Sequence, residues 1–183
     1  SDNQLTLDIE EKSLGSMAVG YYSILESAFR AKEMNDFLSH HYNIAKIYSD
    51  FSKIAYKNNL GWDDKHYSVN EIMNSNESNP QIAFPYNKKH CASWNVNQSA
   101  AILLCSEKIA DLLEIDSEKR IYLLASSENN NMIPTLQREN LTKPIGMKLA
   151  ADFILDICNK NKITPSLFDL YSCFPIAVQM FAD

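Results

Sequence analysis

Glycine is scarce in this sequence: only Gly15, Gly20, Gly61 and Gly146 occur in 183 residues, against an average usage of about 7%. Backbone that must come close to a phosphate or an oxyanion usually does so through glycine. Gly-rich phosphate-binding loops are therefore excluded, and much of any such site is expected to lie elsewhere. Cysteine is also sparse. Cys91, Cys105, Cys158 and Cys173 show no C-x-x-C spacing, which argues against a disulfide framework and a zinc site. Free thiols and no metal are expected. Positive charge is short as well: the net charge is -6, the isoelectric point is near 5.2, and Lys88-Lys89 is the one basic cluster. A nucleic-acid surface needs several cations to displace counterions, so none is expected here. No run approaches 18 apolar residues and no charged-then-apolar leader opens the chain, so neither a membrane span nor a signal peptide is expected, and the expected compartment is cytoplasmic.

What the sequence does contain is clearest between Asn95 and Leu113, NVNQSAAILLCSEKIADLL. Ala100 to Cys105 is an uncharged apolar run of strand length, as expected for a strand covered on both faces. Ser106 is placed to cap a following helix, Glu107 complements its dipole, and Ile109, Leu112 and Leu113 recur at helical spacing. This is one strand-helix unit of an α/β sheet.

Before it the chain reads as helical. Ser1 to Lys12 is polar and aperiodic and reads as an arm. Met17, Tyr21, Ile24 and Ala28 mark a helix over about 16–31, and Phe37, Leu38, Ile44, Tyr48 and Phe51 a second over 35–58, stopped by Asn58-Asn59-Leu60-Gly61. The two are expected to form a hairpin. His40-His41 is poorly spaced for a metal, because adjacent residues diverge on a helix. One imidazole is expected on the packed face and the other in solvent near Asp36. Ser68-Val69-Asn70-Glu71 is a capping box with Tyr67 and Ile72 placed as a hydrophobic staple, and Asn74 to Pro80 is a polar surface loop. Pro80 to Gln98 shows no helical or strand period. It reads as an ordered connection packed by Phe84, Tyr86 and Trp94, or as a binding loop presenting aromatic and cationic groups.

After the central unit, Ile121 to Ser126 reads as a second strand, Glu128 to Pro144 as a polar excursion, and 146–160 as an amphipathic helix packed through Met147, Ala150, Ala151, Ile154, Ile157 and Cys158. Phe168 to Tyr171 reads as a third strand. Pro175 suits the first position of a last helix.

Three stretches, in this order, resemble the thiolase superfamily and in particular its thiolase-like acetyl-CoA acetyltransferase branch. FPYNKKHCASWNVNQ (84–98) fits a loop of that branch. NVNQSAAILLCSEKIADLLEI (95–115) resembles the family's Asp-Gly-Ala-Ala-Ala strand and Ser-Glu-capped helix. DLYSCFPIAVQ (169–179) resembles the strand-to-helix turn carrying Asn-Glu-Ala-Phe in thiolases and His-Asp-Cys-Phe in the sterol-carrier thiolases. The resemblance spans roughly residues 14 to 183.

It implies an α/β protein with a partial thiolase-like fold: a helical loop subdomain and an incomplete layered strand-helix core. Residues 1–97 would be the mostly helical loop subdomain, 98–117 the last strand-helix unit of the first core half, and 118–183 the start of the second half. Tyr171 falls at the position that helps form the family's oxyanion hole, and Cys173 and Phe174 match the Cys and Phe of His-Asp-Cys-Phe. A tyrosine hydroxyl there departs from the family pattern, since its reach differs from that of an amide or imidazole. The loop subdomain of the family holds coenzyme A, which directs attention to Lys88, Lys89, His90 and Trp94: cations suit phosphates, and an aromatic face suits adenine or the pantetheine chain. Coenzyme A or acyl-CoA would be a substrate rather than a resident cofactor.

The family's nucleophilic Cys and its C-terminal His and Cys have no counterpart in these motifs. The sequence is thus expected to be the central segment of an acetyl-CoA acetyltransferase, inactive by itself in acyl transfer between thioesters, in lipid metabolism. The alternative is a non-catalytic acyl-CoA-binding or interaction module of thiolase descent. Strands in an incomplete core leave free edges, so a homo-oligomer is expected.

Overall fold

The structure, a computed structural model, describes residues 5–58, 61 and 63–183. The first four residues of the expected arm, and Asn59 and Leu60 of the expected helix stop, lie outside the described residues.

The arm gives way to a helix, α1 (Asp8–Leu14). The Leu7 N–H donates to Glu10 Oε2 at 2.7 Å and the Leu136 N–H to Glu10 Oε1 at 2.6 Å. One fully buried carboxyl group thus closes the first turn and ties it to a short helical turn at Thr135–Gln137. That second partner is 126 residues away, out of reach of any local pattern. Helix α2 (Ala18–Lys32) follows. Gly20 allows a close approach here: a Cβ on it would lie 2.1 Å from the Leu14 carbonyl oxygen.

Helix α3 (Phe37–Lys57) starts where Asp36 accepts the Ser39 N–H at 3.0 Å. This is the role Asp36 takes instead of pairing with a histidine. His40 and His41 are both buried, which corrects the expectation of one packed and one solvated imidazole. Helix α4 (Val69–Met73) has the expected capping box: the Glu71 N–H donates to Ser68 Oγ at 3.3 Å, and the Ser68 N–H to Glu71 Oε2 at 2.9 Å. Helix α3 packs chiefly on α4 rather than forming a hairpin with α2.

The polar loop after α4 is more than a surface connection. Asn79 is fully buried. Its Nδ2 group donates to the carbonyls of Ile72, Glu71 and Asn74 at 2.9–3.0 Å, and its Oδ1 accepts the Lys89 N–H at 2.9 Å. The next residues, read as irregular, form a small antiparallel hairpin of β1 (Gln81–Ala83) and β2 (Tyr86–Asn87), with Ala83 opposite Tyr86 and a cis Phe84–Pro85 peptide in the turn. A short helical turn at Lys88–His90 follows.

Helix α5 (Glu107–Leu112) begins at the expected cap, with the Ile109 N–H donating to Ser106 Oγ at 3.4 Å. Helix α6 (Ile145–Lys160) keeps its expected face: Met147, Ala150, Ala151, Ile154, Ile157 and Cys158 are shielded while Leu149 and Phe153 point outward. Helix α7 (Pro175–Ala182) has Pro175 in its first turn and packs on α2. The core joins these two helices to the hairpin through Leu25, Phe29, Tyr86, Phe174 and Ile176.

The three expected strands are a different matter. Residues 100–105, 121–126 and 168–171 are neither helical nor paired in a sheet. Ile102 and Ile121 are 84% and 96% exposed, and Leu123, Leu167 and Tyr171 also face solvent. An apolar run becomes a strand only when neighbouring backbone accepts and donates its ladder bonds, and among the described residues none does. Among the described residues the architecture is therefore helix-rich with one two-stranded sheet. No helix among the described residues is long and apolar enough to cross a membrane.

Candidate functional site

The turn that leads into α7 gathers the residues singled out in sequence. Ser172 shapes it: Phe174 N–H donates to Ser172 Oγ at 3.0 Å. Phe174 is thereby turned into the core, where its ring stacks on Tyr22 at 4.7 Å and lies 5.9 Å from Tyr86. Tyr171 and Cys173 remain outside. The Tyr171 hydroxyl lies 3.4 Å from Cys173 Sγ, and the tyrosine is 83% exposed. The Cys173 sulfur next to it raises the pKa of Tyr171, so the phenol keeps its proton and can act as a donor.

A second strand of chain lies against this turn. The Ala92 N–H donates to the Cys173 carbonyl at 3.0 Å, which brings the stretch from Lys88 to Trp94 beside Tyr171 and Cys173. Cys91 is half-buried at the core edge. Burial, and then the charge of Cys173, push its thiol up to about 11.

Behind the turn is a buried polar cluster that sequence reasoning missed. The Glu26 carboxyl group accepts from the Tyr86 hydroxyl at 2.6 Å and from Gln179 Nε2 at 3.1 Å, and lies 2.6 Å from His40 Nε2. Four elements, α2, α3, β2 and α7, meet at this one group. Burial and Glu26 both hold Tyr86 far above the ordinary phenol range, so its hydroxyl is a permanent donor. Tyr48 is raised as well, first by burial and then by Cys91 and Glu26. The only sequence signal for the cluster was the presence of polar side chains inside otherwise apolar helical stripes.

The four residues expected near coenzyme A are placed differently from one another. Lys88 is exposed. The Lys89 ammonium sits 3.9 Å from the centroid of the Tyr67 ring, a cation–π contact. Trp94 is 74% exposed. His90 is fully buried: its Nδ1 accepts the Asn87 N–H at 3.1 Å, and its ring lies 5.0 Å from that of His41. Burial, with His41 adding to it, pushes its pKa down to about 4, so the ring is neutral at physiological pH. Its side chain braces the turn from within while Lys88 and Trp94 face outward. One exposed cation, Lys88, and an exposed indole in the same stretch suit the phosphates and ring of a nucleotide on an open face.

Neither thiol is paired with a base. Cys173 Sγ has the Tyr171 hydroxyl as its hydrogen-bond partner and Cys91 Sγ has the Asn87 carbonyl. No imidazole or carboxylate hydrogen-bonds to either among the described residues. A thiol acting as an acyl acceptor needs a base within hydrogen-bond reach, and the arrangement does not supply one. No group of three or more His, Cys, Asp and Glu side chains converges on a metal position among the described residues. A separate cleft of about 380 Å3 lies between the polar excursion and the start of α6, lined by Asn129, Asn131, Arg138, Gly146 and Met180 among others.

No protein-family model matches the chain, and no curated protein sequence does. Among solved structures, the fold is similar to that of a monomeric SCP2-thiolase like protein type 1 from Mycobacterium smegmatis, with a TM-score of 0.81 and 29% sequence identity. The likeness covers 96% of this chain and 39% of that one, so the chain spans about two fifths of the length of its neighbour. The fold is thiolase-like.

Proposed function

We propose that this thiolase-like chain binds acyl-CoA thioesters. The observation that carries the reading is the hydrogen bond from Ala92 to Cys173. It joins the Lys88–Trp94 stretch, whose exposed Lys88 and Trp94 would suit the nucleotide end of coenzyme A, to the Tyr171–Cys173 turn, which would suit the thioester end. Lys88 and Lys89 would pair with phosphates and Trp94 would cover the ring or the pantetheine chain, while Tyr171 would offer its hydroxyl to the thioester carbonyl. In this reading residues 1–97 would form the loop subdomain that carries the ligand, and 98–117 and 118–183 the segments, with α5 to α7, around its reacting end. Four free thiols suit a reducing, cytoplasmic setting.

The reading is tested by calorimetry with coenzyme A at low salt. Exposed phosphate pairing is screened beyond about 10 Å at 0.1 M salt, so weak, salt-sensitive binding is expected, reduced several-fold in a Lys88→Ala/Lys89→Ala double variant. No heat at low salt would defeat the proposal, and binding unchanged in the double variant would remove both lysines from the site.

A second reading is acyl transfer between acyl-CoA thioesters, the reaction of an acetyl-CoA acetyltransferase. It is supported by the thiolase-like fold and by the Cys173 thiol beside a tyrosine donor. With no base at either thiol among the described residues the binding role is favoured, and this chain is expected to give no turnover in an acetyl-CoA exchange assay. Turnover abolished by Cys173→Ala would establish the transfer reading instead.

A further inference from the structure

We propose that Cys173 and Cys91 form a peroxide-reactive thiol pair, in which Cys173 is the sulfur attacked first and Cys91 the thiol that resolves it into a disulfide. The pair rests on the geometry of the two thiols and stands whether or not the chain binds acyl-CoA. One hydrogen bond fixes their neighbourhood. The Ala92 N–H meets the Cys173 carbonyl at 3.0 Å, so covalent geometry holds the Cα atoms of Cys91 and Cys173 within about 8 Å of each other. A disulfide asks for a Cα separation of roughly 4.4–6.8 Å, a range that lies inside this bound. The Cys173 sulfur is also near enough to Cys91 to add to the raised pKa of its thiol.

Their environments divide the labour. Cys173 is exposed, and a protonated Tyr171 hydroxyl 3.4 Å from its sulfur can donate to a thiolate there. Cys91 is half-buried, and its thiol hydrogen-bonds to the Asn87 carbonyl at 3.7 Å. The outer sulfur meets an oxidant in solvent, and the inner one keeps its proton until a partner is available. In the first step the Cys173 thiolate attacks one peroxide oxygen, the O–O bond breaks, and Cys173 becomes a sulfenic acid with loss of hydroxide. In the second, Cys91 sulfur attacks the sulfenic sulfur, the S–O bond breaks, and the thiol proton leaves with the hydroxyl group as water. The two thiols lose two electrons and hydrogen peroxide is reduced to water. The remaining cysteines are less suited: Cys158 is buried on α6, and Cys105 lies on an exposed segment with no hydrogen bond to this turn.

The test is peptide mapping of the intact chain under non-reducing conditions after treatment with hydrogen peroxide. A Cys91–Cys173 linked peptide, lost on addition of a dithiol reductant, is expected. In Cys91→Ser the Cys173 sulfenic acid should persist and be trapped by dimedone. In Cys173→Ser, Cys91 should stay unmodified at the same dose. The proposal is overturned if Cys91 remains free in the treated parent chain while Cys173 runs on to sulfinic acid, or if Cys173 links instead to Cys105 or to a second molecule.

Discussion

Tyr86 donates its hydroxyl proton to Glu26 across 2.6 Å, at a point where neither side chain reaches solvent. Two helices, a hairpin strand and the last helix all depend on the same carboxyl group, so loss of either partner should be felt throughout the core. Tyr86→Phe leaves a buried acceptor short of a donor and should cost about 1–3 kcal/mol in urea unfolding. Glu26→Ala should cost more, since it strands Tyr86, His40 and Gln179 together, and the double variant should lose less than the sum. A Tyr86→Phe loss below about 0.5 kcal/mol, the range of an ordinary surface change, would show the contact to be incidental.

Gly20→Ala tests how α1 is held. The added Cβ would stand 2.1 Å from the Leu14 carbonyl oxygen, a clash with backbone that α1 or α2 must relieve by moving. Alanine is the better helix former by about 1 kcal/mol, so a net loss of about 1–3 kcal/mol requires the clash to dominate. Hydrogen exchange should quicken at Glu11 and Gly15 before it does so in α2. A variant as stable as the parent would mean that α1 is not docked on Gly20.

His90 gives the fold an acid-labile point. Its pKa falls from an ordinary 6.5 to about 4 on folding because burial disfavours the charged ring. Between those values the unfolded chain binds more protons than the folded one, so stability rises with pH across this window. The contribution is fully present above about pH 6.5 and lost as the pH falls to about 4, with a size of roughly 3 kcal/mol. His90→Asn keeps an acceptor for the Asn87 N–H and cannot titrate. Urea midpoints measured from pH 4 to 7 should therefore change less steeply in this variant than in the parent, and equal slopes would locate the acid sensitivity elsewhere.

Self-association is expected of the purified chain. Ile102, Leu104, Ile121, Leu123 and Phe168 lie on extended segments with no ladder partner among the described residues and face solvent, and such backbone templates pairing between molecules. Size-exclusion chromatography with light scattering should show species heavier than a monomer, reduced by Ile121→Lys/Leu123→Lys. A monodisperse monomer, the state in the description of the Mycobacterium smegmatis protein, would count against it.

Features written in short-range chemistry were legible in the sequence. The Ser68–Glu71 capping box, the Ser106 cap, Pro175 at the start of α7 and the shielded face of α6 each depend on residues within a few positions of one another. The role of Glu10 could not be read in full, because its second partner is the backbone of Leu136, and neither could the burial of His40, whose partner Glu26 lies on another helix. The apolar runs at 100–105 and 121–126 have the composition of strands, but a strand is a property of a pair of segments and composition describes one. For the site, sequence pointed to the Tyr171–Cys173 turn and to the Lys88–Trp94 stretch separately. The Ala92–Cys173 hydrogen bond that joins them has no local signature.

Asn79, the buried amide that gathers three carbonyls and the Lys89 N–H, also bears on how this protein ages. An asparagine deamidates when the backbone nitrogen of the next residue attacks its side-chain amide, and conversion to aspartate here would replace a donor to three carbonyls with a charge that repels them. The next residue is Pro80, whose nitrogen carries no hydrogen to lose, so the cyclic imide of that route cannot form in the usual way. Asn76, which holds the neighbouring turn through its Oδ1, is followed by Glu77 and has no such protection. On long storage the loop should therefore lose its outer turn first, with the inner pin intact.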